Sequence, residues 1–272
     1  MGILDADRIG IDVDDLRLGT RQGMKQASAM EFRTVELGAA RGEAAPGELT
    51  GSGRRELKRL AQGLGLELAS LSADMPELRL TDPARAEERI ERTCRIIDLA
   101  RDLQTPIVTT GLGVVIDSRT GEPSDLVIEA LGRIGEHADS RGIHLALRPS
   151  LDGGKAWAAF LKAIRCPSIR VCLDPAALVM TGANPMASFE QYVEHVALFH
   201  ARDATAGFSD PQGGEPRLGC ETALGDGDVD LVGVLDVLRE ADYHGACVVR
   251  RYNATNPRAE LIAARETLRR MG

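Results

Sequence analysis

The chain has 272 residues, 43% of them hydrophobic but only 3% aromatic, so one sizeable and mostly aliphatic core is expected. Its net charge of −8 argues against nucleic acid as a partner, because phosphate binding needs clustered positive charge. No apolar run approaches 18 residues and Met1–Gly10 shows no leader pattern. The five cysteines, Cys94, Cys166, Cys172, Cys220 and Cys247, form no C-x-x-C pair, which fits a reduced, cytoplasmic setting better than a disulfide framework or a structural zinc.

Short β-like runs alternate with longer helix-like segments from end to end, the pattern of a parallel sheet covered by helices. Strands are predicted near Arg8–Val13, Thr34–Gly38, Leu66–Ser72, Pro106–Thr110, Ile143–Arg148, Ile169–Asp174, Ala197–His200 and Ala246–Arg250. Eight strands favour a closed (β/α)8 TIM barrel over an open sheet, with residues 1–272 as one domain. Asp82-Pro83 opens a helix running to Leu103, Ser124–Arg141 stops at Gly142, Asp230–Ala241 carries an aspartate at its start, and Asn256-Pro257 opens the last helix. The long glycine-rich connections Gly38–Gly53 and Thr205–Gly227 both follow strands and are expected over the barrel mouth, as substrate-contacting loops or as solvated insertions.

Strand alternation then sorts the polar residues. His144, Ala146 and Arg148 share one face, so Arg148 is expected to point into the pore at its strand's end. The same parity sends Cys172 and Asp174 inward, then Leu198 and His200, with Asp203 just beyond, then Val248 and Arg250. Polar groups converging from successive strand ends are the usual form of a barrel active site. Asp174, His200 and Asp203 are the candidate catalytic residues; Glu36, Arg148 and Arg250 are the candidate substrate-binding ones. The competing reading makes the two arginines counter-ions for Asp174, Asp203 or Glu36, and a direct Arg148–Asp174 pair is predicted. The run Gly225–Leu235 resembles a phosphate loop but has three aspartates and no lysine, so it reads as a turn with a helix cap at Asp228 or Asp230. His137, His195 and His244 read as surface groups, and Trp157 as packing.

The stretches TVELGAA, LALRP, VCLDPAALVMTGANP, LFHARDA and LGDGDVDLVGVLDVLREADYHGACVV together resemble the xylose isomerase-like barrels, and most specifically their sugar-phosphate isomerase/epimerase subgroup. The resemblance implies a divalent metal held by Glu, Asp, His and Glu from four strands, with the glutamates moving a proton beside a carbonyl. Asp174 matches the aspartate and His200 the histidine, whereas Arg148 and Arg250 stand where the glutamates belong, and Ala177 replaces a further histidine. Hard cations need oxygen ligands, and arginine is no general base, so the metal site is expected to be lost and no cofactor is expected. Arginine does suit a carboxylate or phosphate. Three functions stay open. One is an isomerase or epimerase acting on a small carbohydrate with a degenerate metal site. Another is a non-catalytic barrel binding a small anionic metabolite. The last, and weakest with only five histidines, is an endonuclease IV-like DNA lyase. The expected partner is a small anionic carbohydrate or metabolite, with no membrane and with homo-oligomer formation left open.

Overall fold

A computed structural model describes residues 5–271 apart from 114, 118–119, 149–153, 190 and 208–217. Eight parallel strands close a barrel: β1 Ile9–Asp12, β2 Thr34–Gly38, β3 Glu67–Ser72, β4 Ile107–Gly111, β5 His144–Arg148, β6 Ile169–Leu173, β7 Val196–Ala201 and, last around the ring, β10 Cys247–Val249. The two-residue strands β8 (Asp203–Ala204) and β9 (Glu221–Thr222) pair antiparallel over the mouth. This is the expected (β/α)8 barrel. β1 begins one residue later than Arg8, and β7 runs one residue past His200, to Ala201.

The helices lie between strands: α1 Thr20–Ala29, α2 Gly51–Gly63, α3 Pro83–Leu103, α4 Asp125–Arg141, α5 Gly154–Ile164, α6 Pro175–Val179, α7 Met186–Phe189, α8 Leu231–Glu240 and α9 Pro257–Met271. Their ends follow local chemistry. Asp82 caps α3 through the Ala84 N–H at 3.0 Å, Gly142 ends α4 in the left-handed region, and Asp230 caps α8 through the Gly233 N–H at 2.9 Å. Trp157 is fully buried edge-on to Phe160, as packing predicts. All five cysteines are free. Among the described residues no helix is long and apolar enough to cross a membrane.

Two apolar layers result. The larger fills the space between strands and helices, with Val35, Leu37, Leu145, Leu147, Val171 and Val249 facing outward from the strands. A smaller cluster of Ala69, Ile107, Ala146, Cys172, Leu198 and Val248 fills the pore. Arg148, Asp174, His200 and Arg250 stand two residues beyond Ala146, Cys172, Leu198 and Val248, so strand alternation sets them as a polar tier on a dry floor.

Candidate active site at the barrel mouth

On the β1–β2 side the polar tier is closed on itself. Arg250 is buried, its Nη1 sits 2.8 Å from Asp12 Oδ2 and 2.9 Å from Glu36 Oε1, and its Nε sits 3.2 Å from Asp15 Oδ2. A 3-10 turn at Val13–Leu16 brings Asp15 back over the strand end, where it also accepts the Arg251 N–H at 2.7 Å. Glu36 Oε2 accepts Ser70 Oγ at 2.5 Å and faces His200 Nε2 at 3.0 Å. Burial pushes the Glu36 carboxyl up, but His200, Arg250 and the Ser70 hydroxyl together pull it down to about 2. Asp12 goes the other way: its burial outweighs Arg250, and Asp15 and Glu36 add repulsion, so its carboxyl lies well above the usual range.

The β5–β7 side is more open. Arg148 Nη2 donates to Asp74 Oδ2 at 2.5 Å, and Asp74 Oδ1 accepts the Gly111 N–H at 2.8 Å. Register places Gly111 beside Arg148, and a Cβ on Gly111 would lie 3.0 Å from Arg148 Nη2, so the bare backbone there lets the guanidinium lie across the strand end. Burial works against the Arg148 charge and Asp74 more than offsets it, so the group stays cationic. Its Nη1 is buried and among the described residues has no hydrogen-bond partner. The expected Arg148–Asp174 pair therefore does not form. Asp174 Oδ2 instead accepts Arg202 Nη1 at 2.7 Å and its Oδ1 accepts the Ala177 N–H at 3.2 Å, capping α6. Against the upward push of burial, Arg202, His200 and Arg148 hold Asp174 below the ordinary carboxylate range. Arg202 also reaches Glu221 at 3.2 Å. The guanidinium groups of Arg202 and Arg250 lie 4.6 and 4.7 Å from the centre of the Tyr252 ring, which sits at the boundary between the two sides.

Of the six expected site residues, Glu36, His200 and Arg250 fall in the closed network, where Arg250 serves as a counter-ion to Glu36. Arg148 and Asp174 border a cleft of about 350 Å3 together with Arg202, Thr181 and Tyr252. Asp203 stands apart. Its Oδ2 accepts the N–H groups of Gly225 and Gly227 at 2.8 and 3.0 Å, and its Oδ1 accepts those of Ala204 and Val229 at 2.9 and 3.1 Å. A Cβ on Gly227 would lie 2.2 Å from that carboxylate. The turn beginning at Gly225 thus wraps the Asp203 carboxyl group, whose two oxygens hold this loop. Asp230 is the helix cap, while Asp228 accepts the Ala206 N–H at 2.7 Å. The loop Thr205–Gly227 crosses the mouth in its described parts, where the Gly207 and Gly219 N–H groups reach the Val179 and Met180 carbonyls; residues 208–217 of it, and Pro149 of LALRP, lie outside the described residues.

Sequence reasoning missed Asp12, Asp15, Asp74, Arg202, Glu221 and Tyr252. Arg202 shares the parity of His200 and was within reach of the alternation argument. Among the described residues no three His, Cys, Asp or Glu side chains are grouped to hold a metal ion.

Residues 24–271 match the family model for the xylose isomerase-like TIM barrel, and the chain belongs to that family. No curated protein sequence matches it. Solved structures give the fold independently. A xylose isomerase domain protein from Planctomyces limnophilus is 21% identical with a TM-score of 0.80, over 91% of each chain. A xylose isomerase-like TIM barrel protein from Mycobacterium smegmatis in complex with magnesium is 18% identical with a TM-score of 0.75, over 97% of this chain and 95% of that one. D-psicose 3-epimerase from Clostridium cellulolyticum H10, solved with D-tagatose, is 14% identical with a TM-score of 0.74, over 97% and 98%.

Proposed function

We propose that this chain binds a small anionic carbohydrate in the cleft beside Arg148, Asp174, Arg202 and Tyr252, with guanidinium groups standing where the family's metal ligands would be. The observation that carries this reading is Arg148 Nη1, a buried charged donor at the edge of the cleft with no partner among the described residues. An unpaired buried donor is costly, and a ligand oxygen would satisfy it. The residues at the four family positions do not fit a divalent cation. Two are arginines, Asp174 already takes Arg202, and His200 turns its Nε2 to Glu36. The family's metal site is therefore read as lost.

An isomerase or epimerase turnover is the second reading, favoured by Asp174 lying on the cleft wall with Arg148. It is the weaker one. Of the expected acid–base groups, His200 is fully buried and Asp203 holds four N–H groups, which leaves on the cleft wall Asp174, itself bonded to Arg202 and the Ala177 N–H.

Calorimetric titration with D-gluconate tests the binding reading. Binding should occur without added metal, survive a chelator, and fall about 100-fold in Arg148→Met, the effect of losing a charge-assisted hydrogen bond from a buried donor. Equal affinity in that variant, or binding that requires Mn2+ or Mg2+, overturns it. Deuterium uptake from D2O into a bound carbohydrate would instead establish the turnover reading.

A further inference from the structure

A second cleft of about 450 Å3 opens on the far side of Arg148, between the ends of β3 and β4, and shares Arg148 and Gly111 with the first. Among the described residues its charged lining consists of Arg79, Arg89 and Arg148 against Asp74. Arg148 and Asp74 are paired with each other, which leaves two guanidinium groups over. Arg89 is almost wholly buried. It donates to the carbonyls of Met75, Leu78 and Gly111 and to Thr110 Oγ1, all of them neutral, and among the described residues it meets no carboxylate. Arg79 is exposed and forms no ion pair with a described residue.

Carbonyl oxygens satisfy the geometry of a buried guanidinium without neutralising it. Burial depresses Arg89 to about 10, so it still carries its charge at neutral pH. Asp74 and Glu77 act on this charge only through space, and its four neutral contacts fix its position without pairing it. The rest of the wall includes Met75, Pro76, Leu78 and Leu112, which can cover carbon but offer no further charge.

We propose that this cleft is a phosphate subsite: a ligand seated at Arg148 extends a phosphate arm toward Arg79 and Arg89. An excess of two positive charges matches a phosphate monoester, which carries roughly −1.5 to −2 at pH 7, better than a single carboxylate. Arg148, on the boundary, would bridge the two parts of the ligand. The substrate class is thereby narrowed to a phosphorylated carbohydrate or sugar acid. The inference rests on the mouth-binding reading for the sugar portion but not for the phosphate itself.

The test uses the full-length protein, its Arg79→Glu and Arg148→Met variants, and three probes in calorimetry: inorganic phosphate, D-gluconate and 6-phospho-D-gluconate. Arg79 is exposed, so its replacement leaves the fold intact. Phosphate should bind the parent protein and bind Arg79→Glu about tenfold more weakly, while D-gluconate stays within twofold. The phosphorylated probe should bind at least tenfold more tightly than either half, because both ends are held together. Phosphate that fails to bind, or that ignores Arg79→Glu and responds only to Arg148→Met, overturns the subsite. D-gluconate that fails to bind beside Arg79-dependent phosphate binding sinks the mouth reading and leaves the phosphate subsite standing.

Discussion

At the β1–β2 side of the mouth, one guanidinium is enclosed by the carboxylates of Asp12, Asp15 and Glu36. At the β5 side a guanidinium on an equivalent tier meets, among the described residues, Asp74 alone and keeps Nη1 unpartnered. The first arrangement holds the barrel end together: the acids that line a cleft of about 350 Å3 there, Asp12 and Asp15, already share Arg250. The second lacks one oxygen for completion. Arginine on one tier of the mouth thus has two different outcomes in one chain, decided by how many acids the neighbouring segments deliver.

Replacing the two arginines separately would break that comparison. Arg250→Leu leaves three buried carboxylates without their shared cation and should cost about 4 kcal/mol, read by denaturant unfolding. Arg148→Met, at the open side, should cost about 1 kcal/mol, because Asp74 is partly exposed and retains the Gly111 N–H. Equal losses would mean that both sides are structural.

Acid titration sharpens the same contrast. Glu36 titrates near 2 in the folded chain, below its ordinary value of 4.5, so its stabilisation is complete above 4.5 and fades as the pH falls toward 2. The stability gap between the parent protein and Glu36→Gln should follow that course. A gap unchanged between pH 6 and pH 3 would remove Glu36 from the network.

The smallest effect is expected at Asp12. Its carboxyl is raised by burial, so its ionised form opposes folding as the pH rises past the ordinary carboxylate value. Asp12→Asn keeps an oxygen for the Asp14 N–H, bonded at 2.8 Å in the parent, and should leave stability at pH 7 within about 1 kcal/mol. A loss as large as that of Arg250→Leu would show that the Asp12 charge is needed.

Most of the barrel was legible because β-branched and aliphatic runs, helix caps and alternation all report local forces. Parity alone put Arg148, Asp174, His200 and Arg250 on the pore side, with Ala146, Cys172, Leu198 and Val248 beneath them. The partners were less legible. Arg202 was hidden because β7 was expected to stop at His200, and carrying the alternation two residues further would have exposed it. Asp74 and Tyr252 lie beyond strand ends, where no period applies, and Asp15 is returned to the mouth by a 3-10 turn. Which acid meets which arginine is settled by loop geometry between distant segments, as in the exchange of Asp174 for Asp74 at Arg148.

The turn that wraps Asp203 has a bearing on how a visiting molecule is oriented. In many (β/α)8 barrels, backbone N–H groups in the loops after the seventh and eighth strands cradle a phosphate. Here the loop after β7 has such a cradle, but its tenant is native to the chain: four N–H groups are already committed to the Asp203 carboxylate. Those four N–H groups are therefore not on offer to a ligand. In the subsite proposed above, a phosphate would sit instead by Arg79 and Arg89 across the mouth, on the side opposite to the one such barrels commonly use.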